Sequence, residues 1–279
     1  MYEQIILEIE DPVATITLNR PEKLNTLTDR MRQELRHAVA TAEASSEVVG
    51  IIITGAGRGF SAGADMGELG KIQEAGEIAA GRGPEAVPPS TPGDPALDYD
   101  LSGGITYFLQ VRKPVIAALN GACAGLGFSM AMFCDLRFAS DRASIVPAYA
   151  KLGLVAEHGT SWIVPRVVGP ARALDLLWRS ERIEPQEALA LGLIDRVFEH
   201  DALLDETKAY LRHLAETVSP TSLMRMKQQI YRHPALTLRE AMAETEELMA
   251  ESVRGPDFQE GIAAFGEKRA AVFRRLELS

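Results

Sequence analysis

Two glycine-rich turns, each following an apolar run, carry the chemistry this chain is best equipped for. The first reads Gly57-Arg58-Gly59-Phe60-Ser61-Ala62-Gly63-Ala64-Asp65 and follows Val48-Val49-Gly50-Ile51-Ile52-Ile53. The second reads Asn120-Gly121-Ala122-Cys123-Ala124-Gly125-Leu126-Gly127, follows Val115-Ile116-Ala117-Ala118-Leu119, and opens into Phe128-Ser129-Met130-Ala131-Met132-Phe133-Cys134-Asp135. Glycines let a backbone turn sharply and bring main-chain N–H groups close to a ligand. The second turn reads into a helix, whose first N–H groups have no partner within the helix and whose dipole favours negative charge. Two such turns facing each other can place two N–H donors on one oxygen. That arrangement is an oxyanion hole, and being made of backbone it tolerates side-chain change.

The elements that must hold these turns are legible as an alternation. Residues 5–10 and 13–18 are β-rich and separated by Asp11-Pro12, as in a hairpin. Residues 28–44 read as a helix with Thr28 or Asp29 as cap and Met31, Leu35, Ala38 and Val39 on one face. Strand-like and helical runs then alternate to about residue 200, which predicts crossover connections and a largely parallel, buried sheet. Residues 67–104, with Gly81-Arg82-Gly83-Pro84, Pro88-Pro89-Ser90-Thr91-Pro92-Gly93 and Asp94-Pro95, interrupt the alternation. That density of Pro and Gly favours loop over helix. It is read either as a lid beside the first turn or as a variable surface insertion. From residue 202 onward the chain reads as successive helices over 202–217, 221–231, 236–253 and 257–276.

Composition narrows the function classes. The 279 residues can bury one substantial core, and 46% of them are apolar, as in a globular protein. The balance of 29 basic and 39 acidic residues gives a net charge of −10, which argues against a nucleic-acid surface. No apolar run reaches the roughly 20 residues of a membrane span, and the first residues show no signal-peptide pattern. Cys123 and Cys134 give no disulfide framework, so a cytoplasmic location is expected. No His/Cys set has metal-ligand spacing, no Ser/His/Asp set can be assembled, and no Gly-x-Gly run carries a dinucleotide fingerprint. Neither a metal nor a separate cofactor is expected.

Six landmarks in order resemble the crotonase family, the enoyl-CoA hydratase/isomerase superfamily. They are the run from Leu18 to Leu27, the Ala62-Gly63-Ala64-Asp65 turn, and the segment from Asn120 to Asp135. The run from Leu152 to Gly159 with Pro165-Arg166-Val167-Val168-Gly169 follows, then Ala188 to Asp195 and Glu260 to Arg269. The resemblance implies an α/β fold with a crotonase-like repeated ββα spiral core over 1–200, in which 67–104 is the variable lid or insertion. A helical C-terminal region over 201–279 would serve oligomerisation, as a trimer or dimer of trimers, and close over the ligand. It also implies an acyl-CoA thioester as substrate, coenzyme A being part of that substrate.

By this resemblance the oxyanion donors are the N–H groups of Ala64 and Leu126, the second a position where many relatives carry glycine. Ala62, Asp65 and Gly125, in the same two turns, are expected with Ser129 and Tyr149 to line the substrate and coenzyme A site. Asp65 and Asp135 read as backbone braces rather than catalysts. A typical hydratase holds a water between two glutamates, and the aligned positions here are Ser129 and Tyr149. Glu157 instead matches the place where isomerase-like relatives carry a lone acid. One carboxylate in an apolar, ligand-closed pocket can act as base and then acid, as a 3-enoyl to 2-enoyl shift requires. The same residue can also serve merely as a cap for the helix over 159–167. His158 reads as a wall residue. Arg20 and Lys23 fall in the turn the family uses near the coenzyme A adenine and phosphates, and Lys268 matches a C-terminal residue reaching the ligand. The alternatives are a 2-enoyl-CoA hydratase with a nonstandard base, thioester hydrolysis or decarboxylation, and a non-catalytic CoA-binding relative.

Overall fold

The strands and helices follow the expected alternation. The computed structural model describes residues 2–65, 67, 70, 85–99 and 104–278. Its strands are β1 (Ile5–Glu10), β2 (Val13–Leu18), β3 (Gly50–Gly55), β4 (Gly59–Ser61), β5 (Val115–Leu119), β6 (Ala122–Ala124), β7 (Leu136–Ser140), β8 (Ser144–Val146) and β9 (Arg196–Phe198). Its helices are α1 (Asp29–Ala44), α2 (Leu126–Phe133), α3 (Thr160–Val168), α4 (Pro170–Arg179), α5 (Pro185–Leu191), α6 (Leu203–Thr217), α7 (Pro220–Arg232), α8 (Leu238–Arg254) and α9 (Pro256–Glu267).

β1 and β2 form the antiparallel hairpin around Asp11-Pro12, with Ile5 opposite Leu18 and Glu10 opposite Val13. Among the described residues the later strands pair in parallel, giving one sheet in the order β1-β2-β3-β5-β7-β9 and a small second sheet, β4-β6-β8, with one isolated antiparallel bridge from Ile145 to Ile183. Parallel strands need crossovers, which is why helices separate them. Side-chain alternation sends Ile51, Ile53, Val115, Ala117 and Leu119 into one apolar core, together with Met31, Leu35, Ala38 and Val39 of α1. The intervening Ile52, Ile116, Ala118 and Phe138 face the other way, onto Leu203 and Leu211 of α6. The large sheet is therefore covered on both faces, and the glycine turns emerge from its buried strands.

Thr28 caps α1 as expected, its hydroxyl accepting from the Met31 amide at 3.1 Å. The last helix is shorter than expected. Apolar spacing predicts 257–276, but α9 stops at Glu267 because Lys268 turns left-handed at φ +54°. Arg269 then pairs with Glu260 and Glu267, and the Val272 amide bonds the Glu260 carboxylate at 2.7 Å, which folds the chain back. Much of the Pro/Gly-rich segment 67–104 lies outside the described residues. Residues 85–99 are tied down: Gly93 donates to Glu43, Gln228 to Asp94, and the Tyr99 hydroxyl to the Tyr231 carbonyl at 2.8 Å.

The second core can be tested on its own. Leu211 is fully buried and its methyl groups fill the space beside Gly50. Leu211→Ala is expected to lower stability by about 2–5 kcal/mol in urea unfolding. A loss under about 1 kcal/mol would mean that α6 does not seal that face of the sheet.

Candidate active site

The first turn is held by a buried asparagine. Asn25 donates from its amide to the carbonyls of Ala56 and Gly59 at 2.9 and 2.8 Å, and its own side-chain oxygen accepts from the Arg20 amide at 2.9 Å. Ser61 donates to the Asn25 carbonyl at 2.8 Å, and the Ala62 amide reaches the Leu24 carbonyl at 2.9 Å. Leu27 pairs with Ala64 as a parallel bridge through its amide to the Gly63 carbonyl at 2.8 Å. Residues 20–27 thus form a cradle under Ala62-Gly63-Ala64. Asp65 braces the same corner: it accepts from the Gly67 amide at 2.9 Å and from Arg20 and Thr26. The Gly67 N–H, with Arg20 and Thr26 behind it, holds this carboxyl below its ordinary pKa.

The second turn packs against the first, main chain on main chain. A methyl group at Gly63, where φ is +98°, would sit 2.8 Å from the Ala124 oxygen and 3.2 Å from the Leu126 nitrogen. One at Gly127 would sit 2.5 Å from the Ser61 oxygen, and one at Gly121 would sit 2.1 Å from the Arg58 oxygen. These glycines are required because no side chain fits between the turns. Gly125, at φ +50°, is the N-cap of α2, so Leu126 is its first residue and its N–H has no acceptor within the helix. Ala64 and Leu126 therefore carry backbone donors on two turns in direct contact. Such a pair can bind one anionic oxygen.

Beneath the second turn lies a cluster of three buried hydroxyls. The Ser129 and Tyr149 hydroxyls are hydrogen-bonded to each other, and Thr160 Oγ1 is 3.0 Å from Ser129 Oγ and 3.2 Å from the Tyr149 hydroxyl. The Tyr149 hydroxyl also donates to the Gly125 carbonyl at 3.0 Å. Burial pushes the Tyr149 phenol upward in pKa, and the nearby Glu157 charge adds to that push against the hydrogen bonds from Ser129 and Thr160. Thr160 carries no mark in the sequence beyond being the first residue after Gly159, and its part in this cluster was not foreseen.

Glu157 borders this cluster from a sharply bent loop. His158 and Gly159 are both left-handed, at φ +52° and +77°, and a methyl at Gly159 would meet the Phe133 ring at 2.8 Å. The loop is thereby wedged against α2. The Glu157 carbonyl accepts from the Thr160 amide at 2.9 Å, so it is the main chain of Glu157, not its carboxylate, that braces the start of α3. The carboxylate stays partly exposed, 3.8 Å from His158 Nε2. Desolvation lowers the His158 pKa from its ordinary value, against the pull of the Glu157 charge.

The remaining candidates fall into two groups. Arg20 is bound to Thr26 and Asp65, so it is part of the cradle. Lys23 is exposed at the end of the turn Pro21–Lys23, and Lys268 is exposed at the C-terminal end of α9. Asp135 is a brace as expected, accepting from the Val115 amide, Lys227 and the Tyr231 hydroxyl at 2.7, 2.7 and 2.9 Å. Among the described residues, no helix is long and apolar enough to cross a membrane.

A largely parallel sheet covered on both faces brings two glycine turns with backbone N–H donors into direct contact. The sequence model described as enoyl-CoA hydratase/isomerase matches residues 8–82 and 98–275. The chain belongs to that family, the crotonase superfamily, and is an enzyme of the hydratase/isomerase type. It is similar to 1,2-epoxyphenylacetyl-CoA isomerase of Escherichia coli strain K12, at 33% identity over 98% of this chain and 99% of the relative. It is also similar to short-chain-enoyl-CoA hydratase of Clostridium acetobutylicum, at 31% identity over 95% of each. The solved enoyl-CoA hydratase/isomerase of Mycobacterium paratuberculosis superposes with a TM-score of 0.78 at 31% identity, over 98% of each chain.

The contact between the turns is open to direct test. Gly63→Ala forces a Cβ onto the Ala124 carbonyl in a backbone region that side chains rarely adopt. Strain of this kind costs roughly 1–3 kcal/mol, and the turns must also separate. The variant is expected to lose both thermal stability and most turnover. Wild-type activity in a fully stable variant would remove the requirement for that contact.

Proposed function

We propose that the protein isomerises a 3-enoyl-CoA thioester to the 2-enoyl form. The thioester oxygen is held by the N–H groups of Ala64 and Leu126. Removal of a proton from Cα then gives an enolate-like anion whose charge rests on that oxygen. Glu157 takes the Cα proton and returns it at Cγ, both carbons lying on one face of an extended acyl chain. Each oxyanion donor lowers the barrier by about 3–4 kcal/mol. The observation that carries this reading is the replacement of both hydratase glutamates by the buried, mutually bonded hydroxyls of Ser129 and Tyr149, with Glu157 at their border. The Escherichia coli relative, named 1,2-epoxyphenylacetyl-CoA isomerase, supports isomerisation of a CoA thioester as the broader class. Asp65 and Arg20 maintain the turn, while Lys23 would lie near the coenzyme A adenine and phosphates and Lys268 would reach the ligand from the C-terminal region.

Glu157→Gln is expected to lower kcat by about 10²–10⁴ while thioester affinity by calorimetry stays within a few-fold. Retention of more than a tenth of wild-type kcat would refute the assigned role. Parallel time courses should show 3-enoyl conversion outpacing loss of the conjugated 2-enoyl absorbance. The clostridial relative's name supplies a second reading, 2-enoyl hydration with Glu157 activating water. Fast hydration with negligible isomerisation would establish that one instead, and no turnover of either thioester would leave a CoA-binding relative.

The same reading includes a trimer or dimer of trimers. Its support is the run of large apolar side chains left exposed on the C-terminal helices, among them Ile230, Leu238, Ile262 and Phe265, the last 87% exposed. Exposed apolar surface on this scale marks an interface. Light scattering at micromolar concentration should give three or six times the 30.3 kDa chain mass. A fully active monomer would remove both the assembly and any reach of Lys268 into a neighbour's site.

A further inference from the structure

The carbonyl of Gly125 and the N–H of Leu126 are the two ends of one peptide unit. That carbonyl accepts from the Tyr149 hydroxyl at 3.0 Å and the Ser129 amide at 2.9 Å, and the Ser129 hydroxyl oxygen lies 3.3 Å away. Peptide resonance couples its ends: drawing electron density onto the oxygen leaves the N–H more positive and a better donor. The hydroxyl protons can also run in one direction, from Thr160 to Ser129 to Tyr149 to the Gly125 oxygen. Each of the two inner groups then accepts one bond and donates the next, and such chains strengthen cooperatively in a low-dielectric interior. Ser129 and Thr160 have no exposed surface and Tyr149 only 4%, so water does not compete for these bonds. The phenol is fitted to donate rather than to act as a base, since burial raises its pKa.

We propose that Tyr149, supported by Ser129, is a positioning residue that polarises and fixes the Gly125–Leu126 peptide so that the Leu126 N–H binds the thioester oxygen more strongly. The inference rests on the reading above that Leu126 faces this oxygen. Residues standing where hydratases keep catalytic carboxylates thus act on the oxyanion hole from behind, through the backbone, without touching the substrate.

The test uses full-length wild type, Tyr149→Phe and Ser129→Ala, with a 2-enoyl-CoA thioester labelled with ¹³C at the carbonyl as probe. Infrared difference spectra read the C=O stretch of the bound thioester, and steady-state kinetics separate kcat from KM. In the wild type the stretch should fall below that of the free thioester. In Tyr149→Phe it should return part of the way, with kcat down about tenfold and KM within twofold, the loss expected for one buried hydrogen bond. Ser129→Ala should shift the band in the same direction, and carries the test if the tyrosine variant does not fold. An unmoved band in the folded variants, even with reduced kcat, would overturn the proposal and leave the hydroxyls as packing. A wild-type band that does not fall on binding would instead overturn the oxyanion reading itself, and this inference with it.

Discussion

The contact between two main chains, Gly63 against Ala124 and Leu126, is the constraint on which the rest of the structure depends. At 2.8 and 3.2 Å from where a Cβ would lie, it leaves no room for any side chain. Everything around it serves to hold it. The large sheet supplies two buried strands, β3 and β5, from which the turns leave side by side. The small sheet pairs β4 with β6, with a register shift between Gly59 and Ser61, and so ties the two turns together. Asn25 ties down the loop before the first turn, and Gly127 lets α2 settle onto Ser61. On the proposed reading the donors are amides, so the binding half of the site would be insensitive to most side-chain exchange and the acid–base half free to vary.

That division explains which parts of the molecule were legible in the sequence. The hairpin around Asp11-Pro12, the helix capped by Thr28 and the run of parallel strands are set by local periodicity and turn chemistry, and they appear where expected. The glycine turns were legible because close backbone approach leaves a compositional trace. The hydroxyl cluster was not. Ser129, Tyr149 and Thr160 come from a helix, a loop and the start of another helix, and a hydroxyl alone does not announce its partners. The end of α9 was misread for a related reason. Its apolar spacing continues past Glu267, but Lys268 turns left-handed and Arg269 pairs with Glu260 nine residues back, a contact that local pattern does not announce.

The placement of Glu157 follows a different logic from that of the donors. It sits on a loop whose direction is fixed by two successive left-handed residues and by the Phe133 ring. A carboxylate on a regular helix would share its orientation with its neighbours. Here the backbone geometry of His158 and Gly159 aims one side chain. Among the described residues, the His158 ring and the Tyr149 phenol lie near it, and its negative charge adds to the upward push on the phenol's pKa.

The burial of α2 has a consequence for the durability of the catalyst. Every residue from Leu126 to Phe133 is buried, and the protein's two cysteines, Cys123 and Cys134, flank that helix. Burial raises both thiols, Cys134 to about 12 and Cys123 further, so neither forms an appreciable thiolate at neutral pH. A 2-enoyl thioester is a Michael acceptor, and thiolate is the nucleophile that would add to its β-carbon. Enclosing the second turn in apolar packing thus also keeps sulfur in its unreactive form next to an electrophile. On the proposed reaction, the protein would be protected from alkylation by its own product.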